Sequence, residues 1–277
     1  MDTSDLANRM KEYEKRNQYY LQKRTPVAIR VDGRSFHTFT KGFQRPFDDV
    51  LIKTMQETAK YMCENIQGAK LAYIQSDEIT IILTDYDTLE TDCWFNYRTD
   101  KLCSIAASMS TMAFNKFFRK NVENFVQDCA TDYETQGLCG EGTVEYELCK
   151  TYQKATEKCA MFDARCFNIP KEEVTNLIYW RQLDATRNSI QMVGQANFSH
   201  KELQNKTCNM IQDMLHEQKG INWSDYPTVC KRGSACIYTE YANMNGSHNS
   251  GWIIDKEMPI LKGEDRAYVD DLVYIGE

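Results

Sequence analysis

Little in this chain would tie it to a membrane, a secretory route or a metal–thiolate scaffold. No apolar run reaches the length of a membrane span. The start, Met1-Asp2-Thr3-Ser4-Asp5, lacks the basic opening and apolar stretch of a signal peptide. These absences make the cytoplasm the expected location. The 11 cysteines are odd in number and contain no Cys-x-x-Cys. Cys129, Cys139, Cys149 and Cys159 recur at a spacing that suits neither a zinc knuckle nor a redox dithiol, so reduced thiols are expected. The histidines His37, His200, His216 and His248 are scattered and form no zinc motif. Linkers rich in Pro, Gly or Ser, low-complexity segments and repeats are also missing. An excess of positive charge is absent too: 33 basic and 40 acidic residues leave a net charge of −7. That argues against a protein that coats nucleic acid by neutralising many phosphates. It permits a local basic path, with Arg24, Arg30, Arg34 and Arg45 in the N-terminal part and Lys201, Lys206, Lys231 and Arg232 further on.

What is present fits an ordinary globular protein. The 277 residues, 42% hydrophobic and 26% charged, suit one large domain or two modest ones. Two acidic stretches carry the chemistry. The β-branched run Val27–Val31 ends at Asp32-Gly33, and the run Leu71–Gln75 turns at Ser76-Asp77-Glu78 and returns as Ile79–Leu83. Each aspartate alone is an ordinary turn residue. If the runs are neighbours in one sheet, Asp32 and Asp77 meet at adjacent strand ends. Mg²⁺ typically takes one or two carboxylates plus phosphate oxygens. Two such ions, roughly 3.5–4 Å apart, can clamp the attacking and leaving oxygens of a phosphoryl displacement.

The periodicity predicts an opening amphipathic helix capped by Ser4 or Asp5, then strand 27–31. A helix over about 47–66 has Val50, Leu51, Met55, Ala59, Met62, Cys63 and Ile66 on its apolar side. The hairpin 69–75 and 79–84 follows, then a long helix within 88–121 and a strand at 160–169. The order β-α-β-β-α-β predicts an α+β, ferredoxin-like fold. Residues 126–158, rich in Glu and Gly, interrupt it as an insertion with exposed surface. The catalytic portion is thus expected over 1–169. A closely packed C-terminal portion, 170–277, is expected to hold a helix from about 174 past 190 and another over 200–218. Strand candidates there are 228–231, 234–241 and 251–255.

Taken together, these residues resemble the tRNA(His) guanylyltransferase family, and more closely its bacterial, archaeal and phage-type branch of 3′-to-5′ polymerases. The resemblance rests on 30–37 (Arg-Val-Asp-Gly-Arg-Ser-Phe-His), 45–48 (Arg-Pro-Phe-Asp) and 75–78 (Gln-Ser-Asp-Glu). It continues through 94–101 (Trp-Phe-Asn-Tyr-Arg-Thr-Asp-Lys), 162–165 (Phe-Asp-Ala-Arg), 180–189 (Trp-Arg-Gln-Leu-Asp-Ala-Thr-Arg-Asn-Ser) and 231–233 (Lys-Arg-Gly). It implies a polymerase or cyclase-type palm, two Mg²⁺ ions, and GTP, ATP or other nucleoside triphosphates as substrates. It implies metal ligands at Asp32, the Gly33 carbonyl and Asp77, with Glu78 as an acidic neighbour. It also implies tRNA as partner and a homotetramer built as a dimer of dimers.

Several roles have a physical rationale of their own. A loop entering a helix presents amides to anions, so Arg34, Ser35, Phe36 and His37 are expected to cradle a triphosphate. Ser76 adds a hydroxyl. Arg98 and Lys101, at i and i+3 of the predicted long helix, would give it one phosphate-binding face. Arg45 and Asp48 stand where the family has Lys-Pro-Asn-Asp, with Phe47 replacing the Asn, and Asp48 is expected to accept from a base edge. Arg187, Asn188, Lys206, Lys231 and Arg232 are weaker candidates for tRNA contact. Where eukaryotic members carry a His and paired asparagines, this chain has Thr186, Asn188 and Ser189. That departure favours repair of 5′-truncated tRNA, templated by the opposite strand, over a role dedicated to tRNA(His). The alternatives are a tRNA(His) guanylyltransferase proper, a palm-type nucleotide cyclase or signalling-nucleotide synthase, and a binding module without turnover.

Overall fold

A computed structural model describes residues 4–136, 140–242 and 248–275. Cys139 and Gly137 of the expected insertion lie outside the described residues. The helices are α1 Asp5–Lys15, α2 Phe36–Phe39, α3 Asp49–Asn65, α4 Thr99–Gln136, α5 Val144–Lys158, α6 Lys171–Asn197, α7 His200–Leu203, α8 Cys208–Lys219, α9 Thr228–Arg232 and α10 Ala267–Val273. The strands are β1 Val27–Gly33, β2 Ala69–Gln75, β3 Glu78–Leu83, β4 Phe162–Asn168, β5 Ser234–Ala242 and β6 His248–Asp255. They form one antiparallel sheet of six strands in the order β4-β1-β3-β2-β5-β6. Both halves of the chain build this sheet, because β5 pairs with β2.

The central strands read as almost unbroken apolar runs because helices cover both faces. On one face, Ile29, Val31, Ile79 and Ile81 pack on Met55, Ala59 and Met62 of α3 and Leu102, Ala106 and Phe114 of α4. On the other, Ala28, Leu71, Tyr73 and Ile82 pack on Val174 and Ile178 of α6 and Val269 and Val273 of α10. Ile29 and Ile81 are fully buried, and each such side chain contributes about 1.5–3 kcal/mol. A third cluster joins Ile190 and Val193 of α6 to Ile211 and Leu215 of α8, with Phe47, Trp223 and Tyr226 beside it.

Local signals set most boundaries. The Ser4 side chain caps α1. Asp48 caps α3 through its bond from the Leu51 amide, 2.8 Å. Other segments differ from the sequence expectation. The long helix starts at Thr99 rather than near 88, because Phe95, Asn96 and Tyr97 take positive φ and turn Trp94 and Tyr97 into the core. Arg98 therefore precedes α4. Its face-sharing with Lys101 on one helix does not hold, and Arg98 instead pairs with Asp100 at 2.9 Å. The expected insertion is largely regular helix: α4 runs on to Gln136, and α5 buries Cys149, Tyr152 and Ala155. The single helix expected over 200–218 is broken by Asn205 at φ 61°, after which Thr207 caps α8. The strand expected at 228–231 is the short helix α9, which starts after Pro227 and stops at Gly233.

Gly233 is required by its backbone. It sits at φ 80°, ψ −164°, a region open essentially to glycine alone. A Cβ there would lie 2.3 Å from the Ile74 carbonyl oxygen. Gly233→Ala is expected to lower unfolding stability by at least about 2 kcal/mol, read as a lower urea midpoint at unchanged slope.

Candidate active site

The two acidic stretches meet. Asp32 is the register partner of Glu78 on one side and Asp163 on the other. The hairpin turn Ser76-Asp77 is stitched to β1 because the Gly33 amide donates to the Asp77 carbonyl, 3.1 Å. Gly33 is needed here for space: a Cβ would stand 2.2 Å from the Phe36 ring. That ring packs on Phe39, Phe114 and Phe162 at centroid distances of 5.2, 5.4 and 5.2 Å. It anchors the loop from below, so the expected ligand role of Phe36 is restricted to its backbone. The Arg34 amide is also taken, by the Met161 carbonyl at 2.8 Å. Ser35 adopts the left-handed conformation at φ 54° and opens α2, whose first amides have no acceptor inside the helix.

Above this junction lies a pocket of about 650 Å³, within the usual range for small-molecule sites. Gly33, Ser35 and His37 line it on one side, Ser76 and Asp77 on another, and Arg45 and Asp48 on a third. Asn188, named above as a tRNA contact, also lines it. Ser189, a position singled out in the sequence, also lines it, together with Lys41, Met192 and Gln195, which the sequence did not single out. Helical spacing from Arg181 could have pointed to Asn188 and Gln195, which follow it at intervals of two turns. Lys41, Arg45 and His37 supply positive or hydrogen-bonding side chains suited to phosphate.

Three neighbouring carboxylates have three different environments. Asp77 is half-buried, and its pKa is pushed up to about 6, first by burial and then by the charge of Asp32; Ser76 and its own amide act in the opposite direction. Glu78 is buried and held by Arg181 through two bonds, Nε to Oε1 at 2.7 Å and Nη2 to Oε2 at 2.9 Å. Arg181 also bonds Asp184 at 2.9 Å. Glu78, expected as a catalytic acid beside the metal ligands, is thus the register partner of Asp32 and is engaged in an ion pair with Arg181. Asp48 is buried as well. It accepts from the Leu51 amide at 2.8 Å, the Gln44 amide at 2.9 Å and the Tyr152 hydroxyl at 2.6 Å. This consumes the acceptor that was expected to face a base edge. Burial raises its pKa and these bonds oppose that rise. The part expected to be an exposed insertion therefore braces the pocket wall through Tyr152.

Other candidates are placed elsewhere. Arg98 and Lys101 lie at the start of α4, where the Thr99 carbonyl meets Cys166, the register partner of Ile29. Asp32 sits three residues further along β1, so this pair stands at the far end of the strand from the carboxylates. Arg24 is bound at that end too, to the carbonyls of Asp85 and Thr88. Arg187 pairs with Asp184. Lys231 donates to the Ser224 carbonyl, and Arg232 reaches the Thr228 hydroxyl at 3.4 Å. Lys206 is exposed beyond α7.

Asp32, Asp77 and the Gly33 carbonyl form an oxygen set that fits a hard divalent cation. The raised Asp77 pKa reflects burial first and the nearby Asp32 charge second, both of which a bound cation would offset. Among the described residues no cluster of three or more His, Cys, Asp or Glu forms a self-contained cage. Mg²⁺ typically takes one or two carboxylates and completes its shell with water and substrate phosphate.

Two outcomes are expected. Arg181→Met removes both hydrogen bonds that Glu78 receives from a guanidinium and leaves only the longer contact with Arg30 at 3.8 Å, so it should cost about 3 kcal/mol; adding Glu78→Gln should recover part of that loss in a double-mutant cycle. Asp77 binds a proton more tightly folded than unfolded, so its contribution to stability is full below pH 4 and is lost as pH rises through about 6. In metal-free buffer, Asp77→Asn should remove that decline from the wild-type stability profile, read by urea titration at several pH values.

The comparisons agree with this geometry. Residues 7–170 match the model of the family described as Thg1, tRNAHis guanylyltransferase. A bacterial Thg1-like protein solved in complex with ATP shares 39% identity with a TM-score of 0.79, covering 98% of this chain and 100% of that one. A GTP complex of a bacterial Thg1-like protein shares 38% identity with a TM-score of 0.74 at the same coverage. The tRNA(His) guanylyltransferase of Saccharomyces cerevisiae is 27% identical over 222 residues, 75% of this chain and 80% of its own. The mixed helical and antiparallel-sheet fold, the paired aspartates over a pocket and these likenesses converge: the chain belongs to the tRNA(His) guanylyltransferase family of nucleotidyltransferases.

Proposed function

We propose that the protein adds nucleotides in the 3′-to-5′ direction to the 5′ end of tRNA, repairing truncated ends against the opposite strand as template. The observation that carries the reading is the Asp32–Asp77 pair at the mouth of a nucleotide-sized pocket. The strand order β4-β1-β3-β2 supports a polymerase-type palm. The bacterial neighbours were solved with ATP and with GTP, which supports nucleoside triphosphates as substrates here. Thr186, in place of the family's His, favours repair over guanylate addition dedicated to tRNA(His). The name of the yeast relative supports that dedicated activity as the second reading. The same family reading carries a homotetramer and a cytoplasmic site of action.

In this mechanism the incoming nucleotide occupies the pocket. Lys41, Arg45 and the amides opening α2 hold its phosphates, and Asn188 and Ser189 approach from α6. Its 3′-hydroxyl attacks the 5′ phosphorus of an activated RNA end. A new P–O bond forms, the old one breaks, and pyrophosphate leaves from a triphosphorylated end, or AMP from an adenylylated one. Asp32, Asp77 and the Gly33 carbonyl would hold Mg²⁺, which supplies charge neutralisation for the attacking and leaving oxygens. Asp77 must be ionised for that task.

The test is incorporation of labelled nucleotide into a tRNA lacking its first 5′ residue and carrying a 5′-triphosphate. Addition should follow the opposing template base, and a nucleotide without a 3′-hydroxyl should not be joined. Asp32→Asn and Asp77→Asn should each lower the rate by at least about a thousandfold while the far-ultraviolet dichroism stays native. Addition at the 3′ end, or guanylate addition regardless of template, would overturn the repair reading. A small cyclic or dinucleotide product formed without RNA would point to the cyclase-type alternative.

A further inference from the structure

Transfer between a nucleotide and an RNA end needs two substrates to meet at one phosphorus. The pocket takes the nucleotide and reaches the carboxylates from the Asp77 side. The second substrate must approach from another direction. Asp32 borders the open side, its side chain 39% exposed, with Arg165 of β4 at 3.8 Å from it.

That side carries a basic and aromatic patch. Arg165 and Arg30 are direct register partners on β4 and β1, and Arg30 shares the Asp32 face of β1 by two-residue alternation. Trp180, on α6, lies across from them. The Arg30 guanidinium is 6.0 Å from its ring centroid and the Arg181 guanidinium 4.5 Å. Despite these neighbours Trp180 is 53% exposed. The Arg30 Nε is buried with no hydrogen bond, the Glu78 carboxylate standing 3.8 Å away. A large indole held between guanidinium groups and left open is costly to keep for packing alone. Bases stack on such rings with little sequence preference, while arginines take the adjoining phosphates.

Resting on the proposed function above, we infer that Trp180, with Arg30 and Arg165, is the platform on which the terminal base of the RNA acceptor end stacks. The Asp32–Asp77 pair then lies between two substrate surfaces, the pocket for the nucleotide and the Trp180 patch for the RNA. Stacking without base-edge readout suits an enzyme whose sequence choice is left to the template strand.

The probe is a fluorescent acceptor-stem RNA hairpin lacking its first 5′ nucleotide, titrated with full-length protein; ATP binding is measured in parallel. Trp180→Ala should weaken hairpin affinity about tenfold, while Trp180→Phe, which retains a stacking face, should stay within about threefold of wild type. ATP affinity and thermal midpoint should be unchanged in both. Wild-type RNA affinity in Trp180→Ala would overturn the platform and leave the proposed function standing. Equal losses for RNA and ATP would also overturn it, since that marks a general structural role. Failure of the wild-type protein to bind the hairpin at all would overturn both readings.

Discussion

The bond pair between Glu78 and Arg181 holds the working end of the molecule together. A buried carboxylate is costly without a partner, and Glu78 opens β3 immediately after Asp77. Arg181 approaches it from the middle of α6, at 2.7 and 2.9 Å. This contact ties the middle of α6 to the working end of a sheet on which Val174 and Ile178 already dock the helix. Asn188, two turns further along, then faces the pocket, and Trp180, one residue back, lies over Arg30. The neighbouring donors Gln75 Nε2 and Thr80 Oγ1 stand at 3.4 Å from the same carboxylate. The Glu78–Arg181 pair, with Arg30 at 3.8 Å from the same carboxylate, thus lies between the two substrate surfaces.

The acidic residues around it divide the work by environment. Asp48 and Glu78 are both buried, and both are satisfied from within the chain. Asp77 lacks that compensation and faces another carboxylate. Its raised proton affinity is the energetic mark of a site built for a cation and a phosphate that are supplied from outside. The apoprotein carries this repulsion at neutral pH, and metal with nucleotide would relieve it. Residues of one chemical type at similar depth therefore serve as helix cap, structural anchor and candidate ligand.

Legibility followed the range of the interactions. The β2–β3 hairpin and most of β1 stood out because strands covered on both faces must be apolar over their whole length; β4, at the sheet edge, showed instead as an alternation with Asp163 and Arg165 exposed. The body of α3 was visible in its i, i+4 pattern, and its cap lay at Asp48. The start of α4 was misjudged because Trp94 and Tyr97 look like helix-face residues, yet reach the core through left-handed turns. α9 has the look of a strand in the sequence because five residues are too few to show a helical period. α5 was hidden by its acidic outer face, although Cys149, Tyr152 and Ala155 carry the buried spacing. Within the candidate site, Asp32, Gly33, Ser76 and Asp77 could be read from strand ends and turns. Lys41 and Met192 could not, since nothing local marks them.

By itself the amino-acid sequence determined which segments are apolar enough to be central strands, and that an aspartate closes each of two of them. Those are properties of a few adjacent residues, set by backbone preference and hydrophobic period. Only the tertiary structure decided what each polar side chain is for. Arg181 lies 103 residues from Glu78, and Tyr152 lies 104 from Asp48. Which acid is neutralised, which is consumed as a cap and which remains unpaired depends on how helices dock on the sheet. That docking is settled by burial summed over the whole core, and no local pattern of residues encodes it.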